Sequence, residues 1–300
     1  MTDGATTAAK YKGNAYGAKV AFYDIGIPNA QFLNVPSNME DMTAPAYRVG
    51  ARIHTNSWGS STNSYTSSSY YFDKYSFENQ DFLVTVAAGN GGSASATSDG
   101  TVGSPATGKN VVSVAAGEQA AAFWTELGIT CTDCDDNDIA YFSSRGPAYD
   151  GRVNPQIVAP GHLIASASST PDSSTSCNVA LNAGTSMATP LLAGSAALVR
   201  EFFGKGFYPT GREESGDSFV PMGALVKAVL VHSAQDISSG TYCQTSQNCA
   251  TGGTIAPKPS STQGYACYSL FLSLTHTHTY TYIHETKKLV YQRTDTEDRF

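Results

Sequence analysis

The apolar positions of this 300-residue chain fall into short runs separated by segments rich in Ser, Thr, Asn and Gly. "AKVAFYDI" (18–25), "ARIHTNSW" (51–58), "DFLVTVAAGN" (81–90) and "KNVVSVAA" (109–116) are brief, largely apolar stretches. They read as strands of a buried parallel sheet. "SNMEDMTAPAYRVG" (37–50) predicts a helix that ends at Gly50, with Ser37 as its cap. "SYYFDKYSFENQ" (69–80) places aromatics about three and four apart and predicts a second helix. Strands alternating with helices imply right-handed crossovers, and therefore an α/β fold with a parallel sheet flanked by helices. In such sheets ligands lie beyond the carboxyl ends of the strands. "SWGSS" and "AAGNGG" stand at those ends.

Further along, residues 116–140 read as irregular, and "IVAPGHLIASAS" (157–168) as strand, turn, strand. "SMATPLLAGSAALVREFFG" (186–204) predicts a helix stopped by Gly204, and "PMGALVKAVLVHSA" (221–234) a helix with Pro221 in its first turn. "LTHTHTYTYIHE" (274–285) alternates Thr with His or Tyr. A period of two suits a strand, and a His-rich tract can bind metal. The same alternation is what a translated dinucleotide repeat produces, since ACA and CAC codons in turn give Thr-His. The expected division is a partial domain over 1–265 and a non-native or disordered tail over 266–300.

Composition narrows the function. Net charge is −7 with no Lys/Arg cluster, which argues against a nucleic-acid partner. No run of 18 apolar residues marks a membrane span, and the N-terminal residues hold no apolar signal-peptide core. Charged residues make up 14%, against roughly 25% in ordinary soluble domains. Polarity comes from Ser, Thr, Asn, Gly and Tyr instead, as on extracellular surfaces. Six cysteines fit disulfides in an oxidising compartment.

"NAGTSMATP" (182–190) carries the chemistry. Gly184 permits a tight turn and close backbone approach. Ser186 opens a helix, where free N–H groups and the helix dipole favour negative charge. Pro190 is expected in the first turn of that helix, where a missing N–H costs least. An ordinary helix cap has the same composition, so the surroundings must decide.

They do so together. "IHTNSWGS", "VTVAAGNGG", "VGSPATGKNVVSVAA", "FSSRGPAYDGRVNPQIVAPG" and "GTSMATP" occur in one order, and over about residues 15–265 the sequence resembles the subtilisin-like serine peptidases. The resemblance implies a subtilisin-like α/β fold, incomplete at its N-terminal part. It implies a serine endopeptidase that forms an acyl-enzyme on Ser186. Asn90 matches the side-chain donor to the oxyanion, with the Ser186 backbone N–H as second donor. Ser57, Trp58 and Gly59 match one wall of the cleft, and Ala87, Ala88 and Gly89 the other. The substrate implied is a polypeptide bound as an extended strand. A monomer is expected, in a secreted or vacuolar setting. No cofactor is implied; structural calcium occurs in the family, but no residue here matches a specific site.

The base is missing from this pattern. The family order is Asp, His, Ser, with the His in a His-Gly-Thr-His-like stretch that this sequence lacks. Asp24-Ile25-Gly26 imitates the Asp turn, but it precedes "IHTNSWG" with no His motif between. Asp24 is therefore expected on a different strand. His54, His162 and His232 lack the setting of a general base, and His276, His278 and His284 fall in the tail. The expectation is a protease by descent with little or no activity as written. A peptide-binding pseudo-protease is the second reading, and an enzyme with His54 or His162 as substitute base the third. Cys131 and Cys134 form a CxxC. Zinc needs about four ligands and no second CxxC exists; a redox role needs the pair at a helix start, whereas this segment reads as a loop. A disulfide, local or to another cysteine, is therefore expected. Cys243 and Cys249 could likewise pair. The neighbouring Asp133, Asp135, Asp136 and Asp138 read as a solvated acidic loop.

Overall fold

The computed structural model describes residues 11–27, 32–92, 99–168, 178–267, 280–285 and 288–293. In chain order the elements are α1 (Glu40–Arg48), β1 (Ile53–Asn56), α2 (Ser67–Glu78), β2 (Leu83–Ala87), β3 (Val111–Gly117), α3 (Ala121–Glu126), β4 (Ile157–Pro160), β5 (Ile164–Ser168) and β6 (Asn178–Asn182). They continue with α4 (Thr185–Gly204), α5 (Gly223–Ser233), β7 (Thr241–Tyr242), β8 (Gly253–Thr254), β9 (Tyr280–Glu285) and β10 (Lys288–Arg293).

β1, β2, β3 and β4 form one parallel sheet in that order. Ile53 stands opposite Leu83, Val84 opposite Val111, and Val114 opposite Ile157. Alternate side chains feed two cores, as the pleat requires. Leu83, Val112, Val114 and Ala116 pack against Ala188, Leu192, Ala196 and Val199 of α4 and Val226 and Leu230 of α5. Val84, Val86 and Val111 pack against Met42 of α1 and Phe72 and Tyr75 of α2. Helices thus cover both faces, which is why the strands read as continuous apolar runs. Beyond β4, Cys267 bridges Val158 and Gln235, so the body extends through Ala266 and Cys267, both buried.

Several local expectations are corrected. "AKVAFYDI" is not a strand: Val20 is 87% and Phe22 86% exposed. A parallel strand needs a neighbour, and no described strand pairs with the outer edge of β1. The cap of α1 comes from Asn38, whose Oδ1 accepts from Glu40 N at 3.0 Å, not from Ser37. Asn38→Ala should therefore cost about 1 kcal/mol, read as a lower urea midpoint at unchanged slope. Gly204 is still helical; Gly206, at φ +69°, stops α4. Gly206 N donates to Phe203 O and Phe207 N to Phe202 O, both at 3.0 Å, a Schellman ending. Pro221 precedes α5 instead of lying in its first turn, and Pro190 is the sixth residue of α4, past the first turn. The segment read as irregular holds the short helix α3. Of the alternating segment, Tyr280–Glu285 pairs antiparallel with Lys288–Arg293; 274–279 lie outside the described residues.

Candidate active site

α4 begins at the carboxyl ends of the sheet strands because Gly161 and Gly184 let the backbones meet. Gly184 N donates to Gly161 O at 2.8 Å. A Cβ on Gly161 would meet Ala116 Cβ at 2.6 Å and Gly184 O at 2.9 Å. Gly184 itself has φ +152°, a left-sided conformation suited to glycine. Ser186 follows, half-exposed in the first turn. Its own N–H belongs to the group that finds no acceptor inside a helix.

Two contacts tie Ser186 to the loop after β1. Its Oγ donates to Ser57 O at 3.2 Å, and Ser57 Oγ donates back to Ser186 O at 2.9 Å. Asn90, after β2, is held by Thr185, whose N and Oγ1 both donate to Asn90 Oδ1 at 2.9 Å. A backbone N–H can only donate, so the carbonyl end of the Asn90 amide faces Thr185. The NH₂ end is left beside Gly184, whose Cβ position lies 3.3 Å from Asn90 Nδ2. Thr185 Oγ1 also accepts from Gly89 N at 3.2 Å. The position that a Gly184 Cβ would take thus has Asn90 Nδ2 at 3.3 Å and Ser186 N at 3.6 Å, two nitrogens beside one point at the start of α4.

The Gly89–Gly92 loop is braced from behind by a segment that sequence reasoning did not single out for this. Ser144 N donates to Gly89 O at 2.9 Å, and Gly91 N donates to Ser144 Oγ at 3.0 Å. Gly89 has φ +114°, and a Cβ there would meet Ser144 Oγ at 2.8 Å. Ser144 and Thr185 fall inside quoted motifs but had no role assigned, since a hydroxyl's partner across the fold leaves no local pattern.

The two expected walls are joined by one segment. Ser60 N donates to Ser104 O at 2.8 Å and Gly103 N to Ala88 O at 3.0 Å. Trp58, half-buried, packs on Phe72 at 6.2 Å between ring centroids. Ala87 and Ala88 are buried, while Ser57 and Gly59 are exposed.

The histidines are engaged elsewhere. His54 stacks between Phe72 and Phe82, with ring centroids 5.7 and 6.1 Å away, and its Nε2 is buried without a partner. Burial lowers its pKa to about 4. His162 is 5% exposed; its Nδ1 lies 2.7 Å from Oε2 of Glu118, and Trp124, Tyr141 and Phe142 surround its ring. His232 is exposed on α5. Asp24 Oδ1 accepts from Gly26 N at 2.8 Å in a local turn.

Among the acids, Asp138 accepts from Thr241 N at 2.7 Å and Asp135 N at 2.9 Å, and Asp135 accepts from Asn137 N at 2.7 Å. Asp133, Asp135 and Asp136 are exposed as expected, but Asp138 is buried and tied to Thr241 of β7 instead of being solvated. Cys131 pairs with Cys134 and Cys243 with Cys249; Cys177 lies outside the described residues. No helix among the described residues is long and apolar enough to cross a membrane.

A parallel sheet covered by helices, with a serine on the helix that starts at its carboxyl edge, defines a class of α/β protein. The model of the Subtilase family matches residues 2–265, and the chain belongs to that family. It is similar to the serine protease/ABC transporter B family protein tagD of Dictyostelium discoideum, 28% identical with 82% of this chain and 17% of that protein covered. Serine protease AprX of Bacillus subtilis (strain 168) is 36% identical over 39% of this chain and 25% of its own length. The chain spans only 16–17% of the Dictyostelium relatives it matches. Among solved structures, the Clostridium perfringens CspB protease shares the fold with a TM-score of 0.54 at 15% identity, covering 82% of this chain and 72% of that one. The prenylagaramide maturation protease PagA does so at 0.50 and 22% identity, covering 77% and 64%. The parallel sheet with helices on both faces is the α/β fold that the sequence predicted.

Proposed function

We propose that this chain carries the nucleophile half of a serine endopeptidase. Ser186 Oγ attacks the peptide carbonyl and forms an acyl-enzyme, while Asn90 Nδ2 and the Ser186 N–H hold the developing oxyanion. The observation that supports this reading is the Asn90 amide, turned by Thr185 so that its NH₂ faces the start of α4. An extended polypeptide binds between Ser57–Gly59 and Ala87–Gly89, backbone to backbone. The reaction calls for no cofactor, and no calcium site is assigned.

No base is assigned to Ser186. Among the described residues no imidazole is hydrogen-bonded to Ser186 Oγ; its acceptor is a carbonyl. As written, the chain turns over peptide little or not at all, since losing the triad costs about 10⁶ in kcat, a figure that comes from this family. The second reading is a pseudo-protease that binds extended peptides, favoured by the same missing imidazole. A monomer without nucleic-acid partner, in a secreted or vacuolar compartment, fits the low charge and the paired cysteines.

One experiment separates the readings. The purified chain is incubated with a fluorophosphonate probe and the labelled peptide is mapped by mass spectrometry. Slow labelling confined to Ser186, absent in Ser186→Ala, is the expected result. Peptide binding with no labelling of Ser186 would leave the pseudo-protease reading standing alone.

A further inference from the structure

The two cysteine pairs meet each other. α3 and the loop after it carry Cys131 and Cys134, and the turn between β7 and β8 carries Cys243 and Cys249. The segments are held side by side: Thr132 N donates to Gln247 O and Cys249 N to Thr132 O, both at 3.0 Å. As a result Cys134 Sγ lies 3.2 Å from Cys249 Sγ, a contact across two different disulfides. Cys131 is half-exposed, while Cys134, Cys243 and Cys249 are buried.

A second, independent observation sits on the far side of the cluster. Glu118 is 1% exposed. Its Oε2 faces His162, but its Oε1 is buried with no hydrogen-bond partner. A carboxylate oxygen of Glu118 and the sulfurs of Cys243 and Cys249 all fall within 4.8 Å of one another. A buried carboxylate oxygen without a donor is costly. No thiol stands there while Cys243 is bonded to Cys249.

We propose that these four cysteines form a thiol–disulfide exchange site, in which a dithiol reductant converts the two local pairs into one Cys134–Cys249 cross-link between the segments. The reductant's thiolate attacks Cys131 Sγ, the accessible sulfur, forming a mixed disulfide and breaking the bond to Cys134. Cys134 leaves as a thiolate and attacks Cys249 Sγ, 3.2 Å away. That forms Cys134–Cys249 and breaks Cys249–Cys243. The electron pair goes to Cys243, which takes the proton given up by the first reductant thiol and donates its S–H to Glu118 Oε1. The reductant's second thiolate then closes on the mixed disulfide and releases Cys131, which takes the second proton. Two disulfides and one dithiol become one disulfide, two protein thiols and one oxidised dithiol, so electrons and protons balance.

The site differs from a local reduction in what it leaves behind. Reduction of one pair alone gives two thiols on the same segment. The exchange gives one thiol on each segment, at Cys131 and Cys243, and a covalent tie between residues 115 apart in sequence. The released Cys243 thiol adjoins Tyr242, whose hydroxyl donates to Ser143 O, next to the Ser144 that braces the Gly89–Gly92 loop.

The test uses the purified full chain with substoichiometric dithiothreitol, alkylation with excess N-ethylmaleimide at mildly acidic pH to halt further exchange, and peptide mapping. Expected are alkylated Cys131 and Cys243 in about equal yield, together with a Cys134–Cys249 cross-linked peptide. Alkylated Cys131 and Cys134 with Cys243–Cys249 intact would overturn the proposal. So would four free thiols on a stoichiometric zinc ion in the untreated chain. Cys131→Ser gives an independent reading, because it frees Cys134 without any reductant. In that variant Cys134–Cys249 should form spontaneously and Cys243 should become alkylatable; persistence of Cys243–Cys249 beside a free Cys134 thiol would refute the exchange.

Discussion

Replacing Asn90 by alanine should slow acylation of Ser186 by a fluorophosphonate probe by about 10² to 10³, or roughly 3–4 kcal/mol of barrier. The scale comes from loss of the corresponding donor in this family. Asn90 has two jobs that the structure keeps apart. Its Oδ1 takes Thr185 N and Oγ1, and its NH₂ is turned to the side of Gly184. Alanine removes both, so it also leaves Thr185 N–H short of an acceptor. Aspartate removes only one. Asn90→Asp keeps an oxygen toward Thr185 and puts a negative carboxylate oxygen where the NH₂ stood. It should therefore retain the wild-type urea midpoint within about 1 kcal/mol yet acylate at least as slowly as the alanine variant. An Asn90→Asp protein that labels at the wild-type rate would remove Asn90 from the oxyanion and leave it as a structural tether.

Acidification should destabilise the chain between pH 6.5 and about 4 through His54. Burial between Phe72 and Phe82 holds the imidazole neutral, and its pKa falls from 6.5 to about 4. A nearby Asn56 opposes this weakly. The folded state thus refuses a proton that the unfolded chain accepts as soon as pH drops below 6.5. Stability falls through this window and the loss is complete once both states are protonated, up to about 3 kcal/mol. Other groups act differently. Asp81, Asp150 and Asp236 have pKa values lowered from 3.8, so their contribution is lost below this window. Glu118 is raised from 4.5 by desolvation, which favours the fold as pH falls and opposes His54. Urea unfolding at a series of pH values, compared between wild type and His54→Leu, cancels these backgrounds. The difference between the two proteins should change by up to about 3 kcal/mol from pH 7 to 4. A constant difference would show that His54 is solvated or paired in the folded state.

What the sequence disclosed and what it hid follow from the range of the interactions. β2 and β3 were legible because both faces are buried and every position is apolar or small. α4 was legible because its glycine, serine and proline occur in fixed local order. "AKVAFYDI" has the composition of a buried strand, but composition does not supply the partner that a parallel strand needs. The caps moved by one or two residues, from Ser37 to Asn38 and from Gly204 to Gly206, because several residues with suitable chemistry stood in a row. The placing of Ser186 near Ser57, and the turning of Asn90 by Thr185, depend on residues 129 and 95 positions apart. Family order could bring these segments together on paper; the direction of the amide needed coordinates.

The sheet also has a handed boundary. On the β4 side, Cys267 occupies Val158 and turns the chain back to Gln235. On the β1 side, the backbone of Ile53–Asn56 has β2 on one flank and no described strand on the other. The sheet can therefore grow in one direction only. A strand added there in the parallel sense would run beside Ile53–Asn56, whose carboxyl end leads into Ser57. Ser57 is the residue whose carbonyl holds the Ser186 hydroxyl. Backbone added on this flank would thus be laid down next to the strand that leads to the acceptor of the Ser186 hydroxyl.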